Sequence, residues 1–301
     1  MQRRLTFPSL SAQCAIIAAA LVGYHLLLRL LMTEHGLRLG AISYKLAPLY
    51  AYWRPHLKGW LAVPVLVLAM YFWILRRTRV ATSLTDRSAI AFFLISFVAI
   101  TTSVAMLDGG PRSLIDPLLR TDLEYYGAVD RVQGVGEFLR DYPQLAQTMP
   151  MHAQVHPPGA VLFVWAACKL FGGGPWAAGA GIILFSSLSV LLVYRWADRL
   201  GGPGVARRAA AIFSLTPSVV LFTATSMDGP FAVFLIATMW LFWESLARRP
   251  VLLGLLAGLA GAAAALMTYS VTVALLFCGI AACARWFVAP QARRSTLLAA
   301  V

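Results

Sequence analysis

Apolar runs recur along almost the whole chain, at 11–32, 59–75, 88–107, 159–171, 176–194, 205–226, 230–246, 251–269 and 270–288, with a tenth beginning at Ser295. Crossing a bilayer takes about 20 apolar residues each time, and a water-soluble domain has no use for so many such runs. The side chains are 60% hydrophobic and only 12% charged, about half the charged share of an ordinary soluble domain. That balance excludes a soluble globular enzyme, a disordered chain and a coiled coil. The runs show no strand alternation, so a β-barrel is excluded as well. The expected fold is an all-α polytopic membrane protein, with the lipid bilayer as its first partner.

The net charge of +13 does not point to nucleic acid, which needs a basic face on a soluble domain. Here the basic residues sit in small clusters between apolar runs, as in cytoplasmic membrane loops. The four cysteines, Cys14, Cys168, Cys278 and Cys283, are scattered through apolar stretches with no CxxC spacing. They read as packing residues rather than a disulfide framework or a metal site. Arg3 and Arg4 precede the first run, which lacks a clear small-residue cleavage site and so reads as an uncleaved span.

Lys and Arg in short loops stay on the cytoplasmic side. With the N-terminus inside, 11–32 goes out, 59–75 returns, the cluster Arg76/Arg77/Arg79/Arg87 is inside, and 88–107 goes out again. The polar stretch that follows is then outside. Segment 159–171 decides the rest. If it crosses, nine later arginines land outside; if it does not, all nine land inside. Thirteen helical residues cover about 20 Å, short of the ~30 Å hydrocarbon core. The segment also starts behind Pro157-Pro158 and ends at Gly172-Gly173-Gly174, so we expect an interfacial or re-entrant helix on the outer face. The outer loop 33–58, with four basic residues, runs against the rule. The Gly/Ala-rich stretch 254–265 predicts a close helix–helix contact with small-xxx-small spacing. No internal repeat is visible, which weighs against a secondary transporter.

Seven of the twelve acids lie between Asp108 and Asp141, and His152 and His156 follow. Most polar chemistry is therefore packed into one loop, far longer than the ~15 residues beyond which loops are usually functional or disordered. Its aromatic residues favour a folded, membrane-apposed segment. Apolar positions over 123–139 suit one juxtamembrane amphipathic helix, with Thr121 or Asp122 as N-cap and Glu124 near its positive end. The same helix N-terminus suits a substrate phosphate. His156 stands before two prolines that stiffen the chain, placed either to meet a phosphate or carboxylate or simply to sit wetted at the interface. The spacing of His152 and His156 is by itself a weak metal signal, because no third ligand is identifiable. Asp228, in Met227-Asp228-Gly229-Pro230, is the only acid between Asp198 and Glu244. An isolated acid at a bundle rim is either functional or a helix cap before Pro230.

These features, in this order, resemble the GT-C superfamily of polytopic glycosyltransferases, especially the branch of protein O-mannosyltransferases and lipid A aminoarabinose transferases. The likeness covers roughly 88–288. It rests on Asp122-Leu123-Glu124-Tyr125-Tyr126, on His156-Pro157-Pro158, on the basic turn Tyr194-Arg195-Trp196-Ala197-Asp198-Arg199-Leu200 and on Asp228-Gly229-Pro230. The resemblance implies a GT-C-like transmembrane helix bundle with an outer-face juxtamembrane loop. The short helix behind His156-Pro157-Pro158 would lie along the membrane. Two extra N-terminal helices would occupy 1–87 and the GT-C-like module 88–301, with its outer loop at 108–174. The chain stops at Val301 inside an apolar run, so the C-terminal part of such an enzyme is expected to be missing.

The implied activity is transfer of a sugar from a polyprenyl-phosphate sugar to an acceptor hydroxyl outside the cytoplasmic membrane, with inversion at the anomeric carbon. By this resemblance Asp122 is the general base. Glu124, Tyr125, His156 and Asp228 bind substrate, and Arg120 and Arg131 are the nearest cations in sequence for the leaving phosphate. The acceptor, whether lipid, glycan or protein, is open. No cofactor is required; a divalent metal is compatible but not demanded, and no metal ligands are assigned. The alternative class is a non-catalytic carrier of lipid-linked sugar, or an assembly scaffold.

Overall fold

The protein is described from a computed structural model covering residues 19–20, 22–24, 26–27, 30, 58–77, 85–224, 226–288 and 293–300. The chain divides into two compact units, 1–56 and 57–301. In the first, the described residues, all between 19 and 30, are helical; the expected span 11–32 otherwise lies outside the described residues, as does the basic loop 33–57.

The second unit is built from helices joined by turns, with no strand among its described residues. In order come α1 (Ala62–Arg77), α2 (Asp86–Ala105), α3 (Val135–Leu145), α4 (Met151–Val155), α5 (Gly159–Leu170), α6 (Gly174–Leu215), α7 (Pro217–Thr223), α8 (Asp228–Ala247), α9 (Pro250–Met267), α10 (Val271–Val288) and α11 (Arg293–Ala300). Six helices among the described residues are long and apolar enough to cross a membrane: α2, α6, α8, α9, α10, and α1 with its preceding turn. Their outward faces carry large bare apolar side chains such as Leu66, Ile95, Leu259 and Val273, as lipid contact requires. The chain is an all-α polytopic membrane protein.

Two predicted spans differ in detail. The runs 176–194 and 205–226 are joined in α6, which breaks at Gly201 and Gly202; Gly202 has φ 75°, a left-handed conformation open to glycine, and Pro203 follows. The second run then breaks again at Thr216, which is extended because the residue before a proline is driven out of the α region. It therefore arrives as 203–215 and α7.

The bundle has two chemically different ends. At one, Arg207 pairs with Asp86 at the start of α2, and the Tyr194 hydroxyl donates to the same carboxylate at 3.0 Å. At that end too, buried Glu244 of α8 binds Arg248 at 2.6 Å and Arg199 at 3.5 Å. The opposite end carries the loop 106–158. Helix α5 does not take the chain from one end to the other. Its 12 residues span about 18 Å and run antiparallel to the first part of α6. Phe163 meets Phe185 at 5.1 Å between ring centres, and Gly181 lets the α6 backbone close on Ala167. Arg199, Arg207 and Arg248 lie together at the end that carries Asp86 and Glu244.

The predicted single helix over 123–139 is not formed. A 3-10 helix runs Tyr125–Arg131, and α3 starts only at Val135, with Val132 and Gly134 extended or irregular between them. The apolar spacing held across both pieces because the turn folds Tyr125, Ala128, Val132 and Phe138 onto one core, with no continuous helix needed. That core also takes Ala153 of α4, Ala160, Val161 and Val164 of α5, Ile182 of α6, and Met227 and Phe231. The loop is thus a folded cap on the bundle.

Candidate active site

A backbone pairing builds the site. Met151 N–H donates to Asp122 O and His152 N–H to Leu123 O, each at 3.0 Å. This sets the segment 122–124 beside the start of α4 and brings two features, 28 residues apart in sequence, face to face. His152 Nδ1 then lies 3.3 Å from Glu124 Oε2. A carboxylate can only accept, so Nδ1 is the protonated nitrogen of that pair.

Tyr125 forms the floor. Its ring lies 5.7 Å from His152, 5.9 Å from His156 and 6.4 Å from Phe231 of α8. Burial, reinforced by the charges of Glu124 and Asp228, pushes its hydroxyl far above the usual tyrosine range, so it stays a neutral donor. His156 stacks on Phe231 at 5.8 Å and on Tyr269 at 6.4 Å, and its Nδ1 is buried with no hydrogen-bond partner among the described residues. Burial first, then the neighbouring His152, lower its pKa against the opposing pull of Asp228. The Tyr142 hydroxyl donates to the carbonyls of Ala153 and His156, 2.5 and 2.8 Å away, and ties α3 to the chain entering the prolines. Gly159 follows them because the chain there runs against α9: a Cβ would sit 2.5 Å from Leu266 O. That close approach brings Tyr269, just past α9, onto His156.

Asp228 opens α8 but is not its cap. Met227 holds the cap position, while Ser226 Oγ donates to Asp228 Oδ2 at 2.8 Å and accepts from Asp228 N–H at 3.2 Å. Gly229 next to it lets α8 close on α6, where a methyl would meet Ser186 Oγ at 2.2 Å. The Asp228 carboxylate is exposed at the mouth of a cavity of about 230 Å³, lined by Ser189, Phe213, Val219, Phe222, Thr223 and Ala232 among others. A polar rim thus continues into an apolar slot between α6, α7 and α8.

Of the residues singled out in the sequence, Glu124, Tyr125, His156 and Asp228 come together around Tyr125. The expected cap role of Asp122 is not observed: Glu124 takes the position before the 3-10 helix, with no side-chain cap bond. Asp122 is exposed two residues from the pair, and its carboxylate takes no hydrogen bond or ion pair among the described residues. Arg120 and Arg131 are exposed as well, and no ion pair brings either to Glu124 or Asp228. The cup also uses His152, Tyr142, Phe231 and Tyr269. Of these only His152 had a signal in the sequence, its spacing from His156. Among the described residues no three His, Cys, Asp or Glu side chains gather as metal ligands.

A second cavity, about 480 Å³, lies among α8, α9, α10 and α11, lined by Gly254, Gly258, Ala262, Ala265, Cys278 and Gly279 among others. Here the predicted small-residue contact is split. Gly254 packs on the backbone of Ala299 and Gly261 on Thr238, while Gly258 faces open space. Among the described residues its lining holds no carboxylate or histidine.

Residues 155–300, just under half of the chain, match the family model for dolichyl-phosphate-mannose-protein mannosyltransferase. The match starts at the residue before His156 and includes Asp228 and α5 to α11, and it bears out the resemblance to the GT-C superfamily. The matched family is one of membrane glycosyltransferases, and the six long apolar helices make this chain a multi-pass membrane protein. No curated protein and no solved structure matches it.

Proposed function

We propose that this protein transfers a sugar from a polyprenyl-phosphate sugar to an acceptor hydroxyl, at the loop end of the bundle and on the outer face of the cytoplasmic membrane, with the N-terminus inside. The observation that supports it best is the joining of a polar cup to an apolar slot at Asp228. A lipid-linked sugar phosphate has the same division. Its isoprenoid chain belongs in a membrane-level slot, and its sugar and phosphate at the wet rim.

In this reading Asp122 takes the proton of the acceptor hydroxyl as the acceptor oxygen attacks the anomeric carbon. The bond from that carbon to the phosphate oxygen breaks, and its electrons leave with the lipid phosphate. Attack from the face opposite the phosphate inverts the carbon. Glu124 and Asp228 supply polar contacts to the sugar, and the neutral Tyr125 hydroxyl offers a donor. Stacked His156, Phe231 and Tyr269 form an aromatic wall. The charge that develops sits mostly on the leaving phosphate, where fixed donors act most strongly.

The orientation follows from the arginine end, which by the positive-inside rule faces the cytoplasm. A cysteine placed at Gly202 should therefore react with a membrane-impermeant reagent only after the membrane is opened. One placed at Ala160 should be reached from outside or stay protected at the outer interface. Labelling of Gly202→Cys in intact cells would put the cup on the wrong side.

A non-catalytic carrier would use the same cup for binding alone. Purified, reconstituted protein given a radiolabelled polyprenyl-phosphate sugar separates the two. Multiple turnovers per protein are expected; saturable binding with no release of sugar from the lipid would favour the carrier.

A further inference from the structure

We propose that His152, held through Nδ1 by Glu124, is the group that binds the phosphate of the lipid-borne donor. The proposal rests on the donor class argued above and names the residue that meets its charge.

An anionic phosphate entering this cup meets two carboxylates, Glu124 and Asp228. Among the described residues no lysine or arginine pairs with either of them, and the nearest arginines in sequence, Arg120 and Arg131, are exposed. The groups in the cup that can carry positive charge are the two histidines, and their surroundings differ. His156 is stacked between Phe231 and Tyr269 with its Nδ1 buried, an environment that opposes charge. His152 has a carboxylate on Nδ1, and 38% of its side chain is open. Its Nε2 has no hydrogen-bond partner among the described residues.

A carboxylate on one ring nitrogen fixes which face the other nitrogen presents, as partners of metal-bound and catalytic histidines do. With the ring protonated, Nε2–H donates to a phosphate oxygen while Glu124 balances the imidazolium. The backbone ladder from Asp122–Met151 to Leu123–His152 holds this donor one residue away from the proposed base. As the anomeric C–O bond breaks, the electron pair stays on the phosphate oxygen, next to the Nε2–H. The acceptor's proton goes to Asp122, so no proton has to leave His152 for the step to balance.

The test compares two ligands of identical chain length, polyprenyl phosphate and polyprenol, binding to the purified protein in nanodiscs. Wild type should prefer the phosphate. A hydrogen bond to a charged group is typically worth about a 10- to 100-fold change in equilibrium constant, and His152→Ala should reduce the preference by that factor while polyprenol binding is unchanged. His152→Gln, which keeps a polar side chain without the charge, should behave like His152→Ala. His152→Arg should restore the preference. Glu124→Gln should weaken it by less. If wild type itself shows no preference for the phosphate, the lipid-phosphate reading of the cup fails. If wild type prefers phosphate and both neutral His152 variants keep that preference, the His152 assignment is wrong and the donor class stands.

Discussion

Replacing Asp122 with asparagine should leave a folded, correctly inserted protein that transfers sugar about 10²–10⁴-fold more slowly, the usual loss when a general base is removed. The geometry sharpens this test. A helix-capping aspartate would have made the result ambiguous, although asparagine caps about as well. No cap bond exists here, the side chain is exposed, and exposed substitutions away from such features usually stay within about 0.5 kcal/mol. A large loss of rate therefore has no structural excuse. Steady-state transfer alongside a thermal melt reads both quantities. Glu124→Gln should show a smaller defect and Asp228→Asn one in between. Neutral variants at Asp130, Glu137 and Asp141 should be mild. Wild-type turnover in Asp122→Asn, with a dead variant at Asp130 or Asp141, would mean that the base has been assigned to the wrong acid.

The second large effect is expected at Phe138, which does no chemistry. It is 1% exposed in the core under the loop and meets the Tyr142 ring edge-on at 5.4 Å. Inside the bilayer, apolar burial drives helix packing only weakly, because lipid tails are as apolar as the side chains. The loop cap stands outside the spans, so its core is held by the ordinary hydrophobic effect. Truncating a buried Phe there should cost about 3–5 kcal/mol. Phe138→Leu, closer in volume, should cost less. The loss should be local, with protease cutting within 108–158 well before the bundle melts. Because Tyr142 holds the carbonyls of Ala153 and His156, transfer should fall along with cap stability. Unchanged protease resistance in Phe138→Ala would contradict the description of the loop as a packed unit.

The spans were legible because about 20 apolar residues in a row have few other uses. The bounds of α5 were legible from Pro157-Pro158 before it and Gly172-Gly173-Gly174 after it. Less was legible inside the loop. The apolar positions over 123–139 fit one helix, and periodicity cannot distinguish a helix from two pieces folded onto a common core. The break at Val132 and Gly134 is set by tertiary packing. The site was legible in part. Glu124 and Tyr125 stood out in the acidic motif of the loop, His156 before its two prolines and Asp228 as an isolated acid at the bundle rim. The pairing of His152 with Glu124, 28 residues away, needed the backbone pairing of 122–123 with 151–152. Tyr269 and Phe231 carried no signal, since aromatic residues are common at both span ends and cores. Two glycines gain meaning only from contacts: Gly159 against Leu266, and Gly229 against Ser186.

The central claim is that sugar transfer takes place in the cup around Tyr125 and not in the larger apolar cavity among α8 to α11. The most direct measurement is photocrosslinking with a polyprenyl-phosphate sugar analogue carrying its photoreactive group on the sugar, followed by mapping of the labelled peptides. Label on 122–126, on 151–156 and around Asp228 is the result predicted here. Label confined to 254–265 and 275–282, with the cup unmarked, would contradict it.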